Sequence, residues 1–308
     1  MEDETKGMLL GLLGVVGFGL TLPVTKSVIT YLDPIFIALG RAVFAAIFAA
    51  LILLVFRQPL PNKNQLVQLM IVALGVVIGF PVLSSWAMVY VPASHGGVVL
   101  GILPLATAII GVLIGDERPN RLFWLVSAIG AGLVVLYSLM QGSGGIHMAD
   151  IALLGAVISA AIGYAVGANL SKSMGSWQVI CWALVLSCPF VIIPAISYAP
   201  KSLSNIPMSG HLGFLYLALI SQLFAFFAWY KGLTLGGIAR VSQIQLLQPF
   251  ITLSVAAMLL GEVISTQSIV FVLLVLAVVW IGKRVPIDTT NKHSKSLTTP
   301  GALRKRFR

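Results

Sequence analysis

Charge is what this 308-residue chain has least of: Asp, Glu, Lys and Arg make up 9% of it, against 58% hydrophobic residues, and the mean hydropathy is +1.02. A soluble domain carries roughly 25% charged residues, so too few are present to coat a water-facing surface. Acids are scarcer than bases, nine against nineteen, and none falls deep in an apolar run. A proton relay built on a buried carboxylate therefore has no support, which leaves an edge glutamate or His95 as the remaining coupling groups. Asp33, Asp150 and Asp288 stand apart, and His95 and His211 lie near helix ends without an evident serine partner, so intramembrane proteolysis and metal-dependent prenyl transfer are disfavoured. Only two cysteines occur. Cys181 and Cys188 fall one heptad apart on one helical face, which suits packing and neither a disulfide nor a metal site. The first apolar segment follows MEDETKG and has no A-x-A-type cleavage site after it, which predicts a retained first helix.

Apolar runs near the roughly 20 residues that cross a bilayer recur along almost the whole chain. They predict ten helices, at about 8–26, 35–56, 66–90, 94–114, 121–140, 150–171, 177–198, 211–231, 237–260 and 265–283. Turn-forming or charged joints separate them, among them DPI, RQPLPNKN, DERPNR and QGSGG, and Asp33, Asn120 and Ser265 are candidate helix caps. With the N-terminus in the cytoplasm, the inner pieces hold Lys6, Arg57, Lys63, Arg118, Arg121, Lys172, Lys231 and eight cations from Lys283 to Arg308, fifteen of the nineteen bases. The outer joints hold only Lys201 clearly. The net charge of +10 is thus a topology signal, with both termini expected inside, and no nucleic-acid partner is implied. The basic tail after residue 283 is expected to be disordered and to lie against anionic lipid.

One phrase occurs twice. LGILPLATAIIGVLIGDE places Pro104, Thr107 and Glu117 where LLQPFITLSVAAMLLGE places Pro249, Thr252 and Glu262, 145 residues later. The copies fall on helices 4 and 9. Five is an odd number of crossings, so a second five-helix unit enters the membrane from the opposite side. The flanks agree, because arginines follow Glu117 whereas VIST follows Glu262. The expectation is an all-α integral membrane protein of ten transmembrane helices in two inverted five-helix repeats, 1–145 and 146–283, with a tail at 284–308.

At this point the chain resembles the drug/metabolite transporter superfamily, in its EamA-type branch of ten-helix permeases. SQLFAFFAWYKGLTLGGIARVSQIQLLQPFITLSVAAMLLGE is similar to that family's helix 8 to helix 9 signature, DPIFIALGRAVFAA to its helix 2, and GFGLTLPVTK to its helix 1. The first copy departs in having Asp116 where Gly261 stands, and helix 4 lacks the polar residues of helix 9. The resemblance implies a carrier of small metabolites, often amino acids, with helices 1, 3, 4, 6, 8 and 9 around a central cavity.

Candidate substrate residues follow from polarity inside the spans. Arg240, Gln245, Gln248 and Thr252 share one broad face of helix 9, with Gln243 beside it. Polar groups there either line a cavity or bond neighbouring helices, and Arg240 is near enough to the inner end to snorkel. Trp86, Tyr164 and Trp229 are aromatic candidates, while Tyr90 and Tyr230 suit the interfacial belt. Lys26, Arg41, Pro104, Glu117, Pro249 and Glu262 are expected to be structural or gating: Arg41 bonding carbonyls in the bundle, the glutamates capping the next helix or pairing across a joint. Close glycine spacing at Gly7, Gly11 and at Gly97, Gly101 suits tight helix crossings. The expected function is a secondary transporter for a small polar metabolite such as an amino acid or organic acid, in the cytoplasmic or inner membrane. No cofactor or metal is expected; a homodimer remains open. The alternatives are a channel-like pore and, more remotely, an intramembrane enzyme.

Overall fold

The computed structural model describes residues 2–114, 117–119, 121–141, 147–202, 204–236, 241–284 and 287–289. The chain runs α1 (Glu2–Gly19), α2 (Thr21–Val28), α3 (Pro34–Val55), α4 (Lys63–Val72), a π-helical segment (Ala73–Gly79), α5 (Phe80–Tyr90), α6 (Ala93–Leu100), α7 (Leu103–Ile114), β1 (Glu117–Pro119) and α8 (Arg121–Gln141). It continues through α9 (Met148–Met174), α10 (Ser176–Ser197), α11 (Met208–Leu215), a second π-helical segment (Tyr216–Phe224), α12 (Ala225–Gly236), a 3-10 turn (Ser242–Leu247), α13 (Gln248–Leu260), α14 (Thr266–Arg284) and β2 (Ile287–Thr289). The all-α expectation therefore needs one amendment, since β1 and β2 pair antiparallel, Arg118 opposite Asp288. This ties the joint after α7 to the chain after α14. Arg240, Asn120, Asp116 and all but Arg284 and 287–289 of the basic tail lie outside the described residues.

Among the described residues, seven helical segments are long and apolar enough to cross a membrane: Thr5–Val28, Pro34–Val55, Lys63–Tyr90, Ala93–Gly111, Met148–Met174, Ser176–Ser197 and Met208–Gly236. Ile244–Leu260 and Thr266–Val278 are shorter apolar helices. Their outward residues are as apolar as their inward ones, with Leu54, Val55, Phe190, Ile193, Ile196 and Met258 all exposed. A surface of that kind is stable against hydrocarbon and not against water. The protein is a multi-pass membrane protein.

Local sequence explains the breaks and ends. Asp33 caps α3 by accepting the Ile35 N–H at 2.7 Å, with Pro34 opening the helix. Ser265 caps α14 by accepting from Ser268 at 3.1 Å, and Gly261 ends α13 in the left-handed conformation, φ 65°. Two crossings are made backbone to backbone. A Cβ on Gly7 would lie 2.6 Å from the Gly236 nitrogen, and one on Gly75 would lie 2.6 Å from the Ser159 carbonyl oxygen. Glycine is what allows α1 to meet α12, and the first π-helical segment to meet α9, this closely.

Candidate functional site

A narrow cavity of about 10 Å³, room for about one water molecule, lies in the interior near the middle of the long helices. Phe18, Thr21, Arg41, Val76, Phe80, Ala160, Tyr164, Ser221, Gln222, Phe226 and Gln248 line it. Both π-helical segments reach it, the first through Val76 and the second through Ser221 and Gln222. A wider groove of about 570 Å³ beside Trp177, Phe227 and Lys231 shares none of these lining groups.

The polar side chains around the cavity fall into two classes. Some are satisfied: Thr21 and Ser221 hydroxyls bond each other at 2.8 Å, and Gln222 Nε2 donates to the Val76 carbonyl at 3.1 Å. Others have no protein partner. Arg41 is 1% exposed, yet its Nε and Nη1 make no hydrogen bond, and neither does Gln248 Oε1. Holding an unpaired guanidinium away from water costs several kcal/mol. On the apolar side, Phe18, Phe226 and Tyr164 pack ring to ring, with Phe18 to Phe226 at 4.9 Å and Tyr164 to Trp229 at 5.5 Å.

Two of the satisfied contacts have a common cause. Proline has no N–H, so the carbonyl it would have bonded in a helix is left over. Gly19 O would pair with residue 23, which is Pro23, and it accepts instead from the Thr252 hydroxyl at 2.7 Å. In the π-helical register, where Phe80 N–H reaches back to Gly75 O, Val76 O would pair with Pro81, and Gln222 takes that place. Met88 O is open for another reason, because α5 ends where Val91 turns extended, and Lys26 Nζ donates to it at 2.7 Å and to Val91 O at 3.0 Å. The expected division of roles is thereby corrected. Lys26, and not Arg41, is the cation that bonds carbonyls.

A second polar group gathers at the end of the bundle where α6 and α9 begin. Glu262 accepts the N–H groups of Ala93 (2.8 Å) and Ser94 (2.9 Å), so it caps α6 from across the molecule and not the helix that follows it. A carboxylate unfavourable at the end of its own helix is favourable at the start of another. His95 and Asp150, 6% and 2% exposed, pair at 2.6 Å. His95 also stacks on Tyr137 at 5.1 Å, and Tyr137 bonds Ser268 at 3.0 Å. The sequence places Asp150 apart from other chemistry and His95 near a helix end; the structure buries both and joins them. Both residues sit just inside the starts of segments separated by an even number of crossings, which was the available signal.

Of the remaining candidates, Tyr164 and Gln248 line the cavity. Trp229 is fully buried beneath Tyr164, its Nε1 without a partner. Gln245 is 1% exposed and neither amide atom is bonded, but it does not line the cavity. Thr252 spends its hydroxyl on Gly19. Trp86 is half-buried against Tyr90, ring centroids 4.8 Å apart, outside the cavity wall. Pro104 and Pro249 are buried in α7 and at the start of α13, and the backbone of Glu117 lies in β1. Among the described residues no group of three or more His, Cys, Asp or Glu gathers as metal ligands would.

Comparison with known proteins accords with this geometry. A relative from Bacillus subtilis (strain 168), "Uncharacterized transporter YdeK", is 44% identical over 262 residues, covering 85% of this chain and 91% of its own. The "Probable amino-acid metabolite efflux pump" of Salmonella typhimurium is 27% identical over 88% of this chain and 93% of its own. One solved crystal structure, 14% identical, superposes with a TM-score of 0.63 over 92% of this chain and 96% of its own, a likeness of fold alone. The EamA-like transporter family model matches twice, at residues 5–139 and 147–281. The chain belongs to the EamA-like transporter family, within the drug/metabolite transporter superfamily.

Proposed function

We propose that the protein is a secondary transporter carrying a small polar metabolite, of the amino-acid or organic-acid kind, by alternating access, with the Arg41–Gln248 cavity as its solute site. The observation that carries this reading is the cavity itself, which widens to admit a solute in this account: unpaired polar side chains held near the middle of long apolar helices, with π-helical backbone on two sides. Irregular backbone at that depth is tolerated where it lines such a space. Tyr164 and Gln248 contact the solute in this reading, Trp229 supports Tyr164, and Gln245 and Trp86 belong to the approaches. Thr252 is assigned to backbone repair.

Two five-helix repeats are supported by which segments touch. With the segments numbered as the sequence predicts them, 1 packs on 8 and 3 on 6, 4 on 6 and 1 on 9, while 2·7, 4·9 and 5·10 are each their own counterpart. Exchanging the halves leaves this set unchanged. The π-helical segments Ala73–Gly79 and Tyr216–Phe224 also fall at corresponding places. Inversion, with both termini cytoplasmic, is supported by the basic residues, and the β1–β2 pair agrees by holding two of the cation-bearing joints on one side. The name of the Salmonella relative suits an amino-acid-like cargo.

The test is counterflow in proteoliposomes preloaded with a mixture of amino acids and organic acids. Saturable exchange is expected, and Gln248→Leu should lower it at unchanged expression. A pore would give flux without counterflow, and full flux in both Gln245→Leu and Gln248→Leu would remove the site.

A further inference from the structure

We propose that Arg41 is the receptor for the carboxylate of the transported solute, and that the solute is a small monocarboxylate or zwitterion with an apolar body. The inference rests on the transporter reading and adds to it a head group and a residue.

Arg41 sits about a third of the way along α3, between two turns of small and apolar residues, 1% exposed and facing the cavity. Its Nε and Nη1 are both without a protein acceptor. A guanidinium grips a carboxylate with two parallel hydrogen bonds along either of two edges, one made by Nε with a terminal nitrogen and one made by the two terminal nitrogens. With Nε and Nη1 both open, each edge of Arg41 has a free donor. Three carbonyls without a helical donor, those of Gly19, Val76 and Met88, are met by Thr252, Gln222 and Lys26, and Arg41 donates to no carbonyl through Nε or Nη1. Arg41 is therefore not occupied in backbone repair. A buried permanent charge with open donors is stabilised by an anion that visits it.

The rest of the lining sets the kind of anion. Arg41 is the one cation among the described lining residues and no acid stands with it, so a single negative charge is neutralised and a doubly charged phosphate is not. Gln248 Oε1 is an unused acceptor on the same cavity, suited to an ammonium or amide N–H. Phe18, Tyr164 and Phe226 form an apolar wall suited to a hydrocarbon side chain. A neutral α-amino acid with an apolar side chain meets all three demands.

The experiment uses the full-length protein in proteoliposomes, with counterflow of a mixture of labelled apolar L-amino acids and short monocarboxylates, then of the amides of the same amino acids. Wild type is expected to exchange the acids, and to exchange the amides at least about tenfold less well, the usual scale for losing a charge-assisted pair. Arg41→Met should lose the acids, and Arg41→Lys, which keeps charge but not the fork, should retain a fraction. Thermal unfolding without solute separates binding from scaffolding: removal of an unpaired buried charge should leave Arg41→Met as stable as wild type or more so, whereas a scaffolding arginine would lower the midpoint. Amides moving as well as acids, full acid exchange in Arg41→Met, or a clearly lowered midpoint in that variant each overturn the assignment while leaving a transporter in place. The acid–amide comparison needs no variant to fold. Exchange of neither class by wild type overturns the assignment and the transporter reading together.

Discussion

Open helix carbonyls draw several of the buried side chains of this bundle into hydrogen bonds. Pro23 and Pro81 each deprive a carbonyl about one turn earlier of its donor, the end of α5 leaves Met88 O open, and Thr252, Gln222 and Lys26 supply a donor to each. An unmet buried carbonyl costs about 1–3 kcal/mol, so each repair is worth about that much. Thr252→Val should lower stability by about 1 kcal/mol in wild type. In a Pro23→Ala background, where the backbone at position 23 regains its N–H, the same change should have much less effect; equal losses measured by unfolding in the two backgrounds would contradict the repair. At this scale the sequence was partly legible. The prolines and the polar face of α13 are visible in it, but which carbonyl meets which donor depends on contacts such as 19 with 252 and 76 with 222. Arg41 and Lys26 illustrate the difficulty: both are single cations in apolar runs, and only their surroundings assign carbonyl bonding to one and an open cavity to the other.

Elements are held to one another at their ends as much as along their lengths. The short turn between α5 and α6 is gripped on both sides, by Lys26 on the carbonyls of Met88 and Val91 and by Glu262 on the amides of Ala93 and Ser94. Each charge meets the helix terminus of opposite polarity. Glu262→Gln keeps the acceptor but loses the charge, and should cost about 1 kcal/mol; no change in unfolding free energy would show that the cap contributes little. Close by, His95 and Asp150 join α6 to α9. Asp150→Asn should destabilise on the order of 3 kcal/mol, and a double-mutant cycle with His95→Gln should recover most of that as coupling; additive losses would mean the two residues act independently. Element positions were readable because apolar runs, Gly and Pro mark them, and α3, α10 and α14 lie within a few residues of expectation. The π-helical segments were not, since their widened register at Ala73–Gly79 and Tyr216–Phe224 leaves the apolar pattern of a span unaltered.

At the scale of the whole molecule, the two stretches that match the family model share one cavity. Lining groups come from both: Phe18, Thr21, Arg41, Val76 and Phe80 from the first, Ala160, Tyr164, Ser221, Gln222, Phe226 and Gln248 from the second. Gln222 on Val76 joins the two irregular segments directly, so any rocking of one half on the other passes through this bond. Gln222→Leu should therefore slow solute exchange while sparing the acid-over-amide preference, and a variant that exchanges at the wild-type rate would dissociate that contact from the transport cycle. The repeated phrase at Pro104 and Pro249 made the duplication legible, while the unlike partners of its two threonines, Leu103 O for Thr107 and Gly19 O for Thr252, were hidden by it. Most direct of all is the sidedness of single cysteines placed at residues 118 and 263 in a protein whose Cys181 and Cys188 have been replaced. An impermeant maleimide applied to intact cells should label residue 263 and reach residue 118 only after the membrane is opened; labelling of both from the same side would contradict the inverted pair of halves on which the account rests.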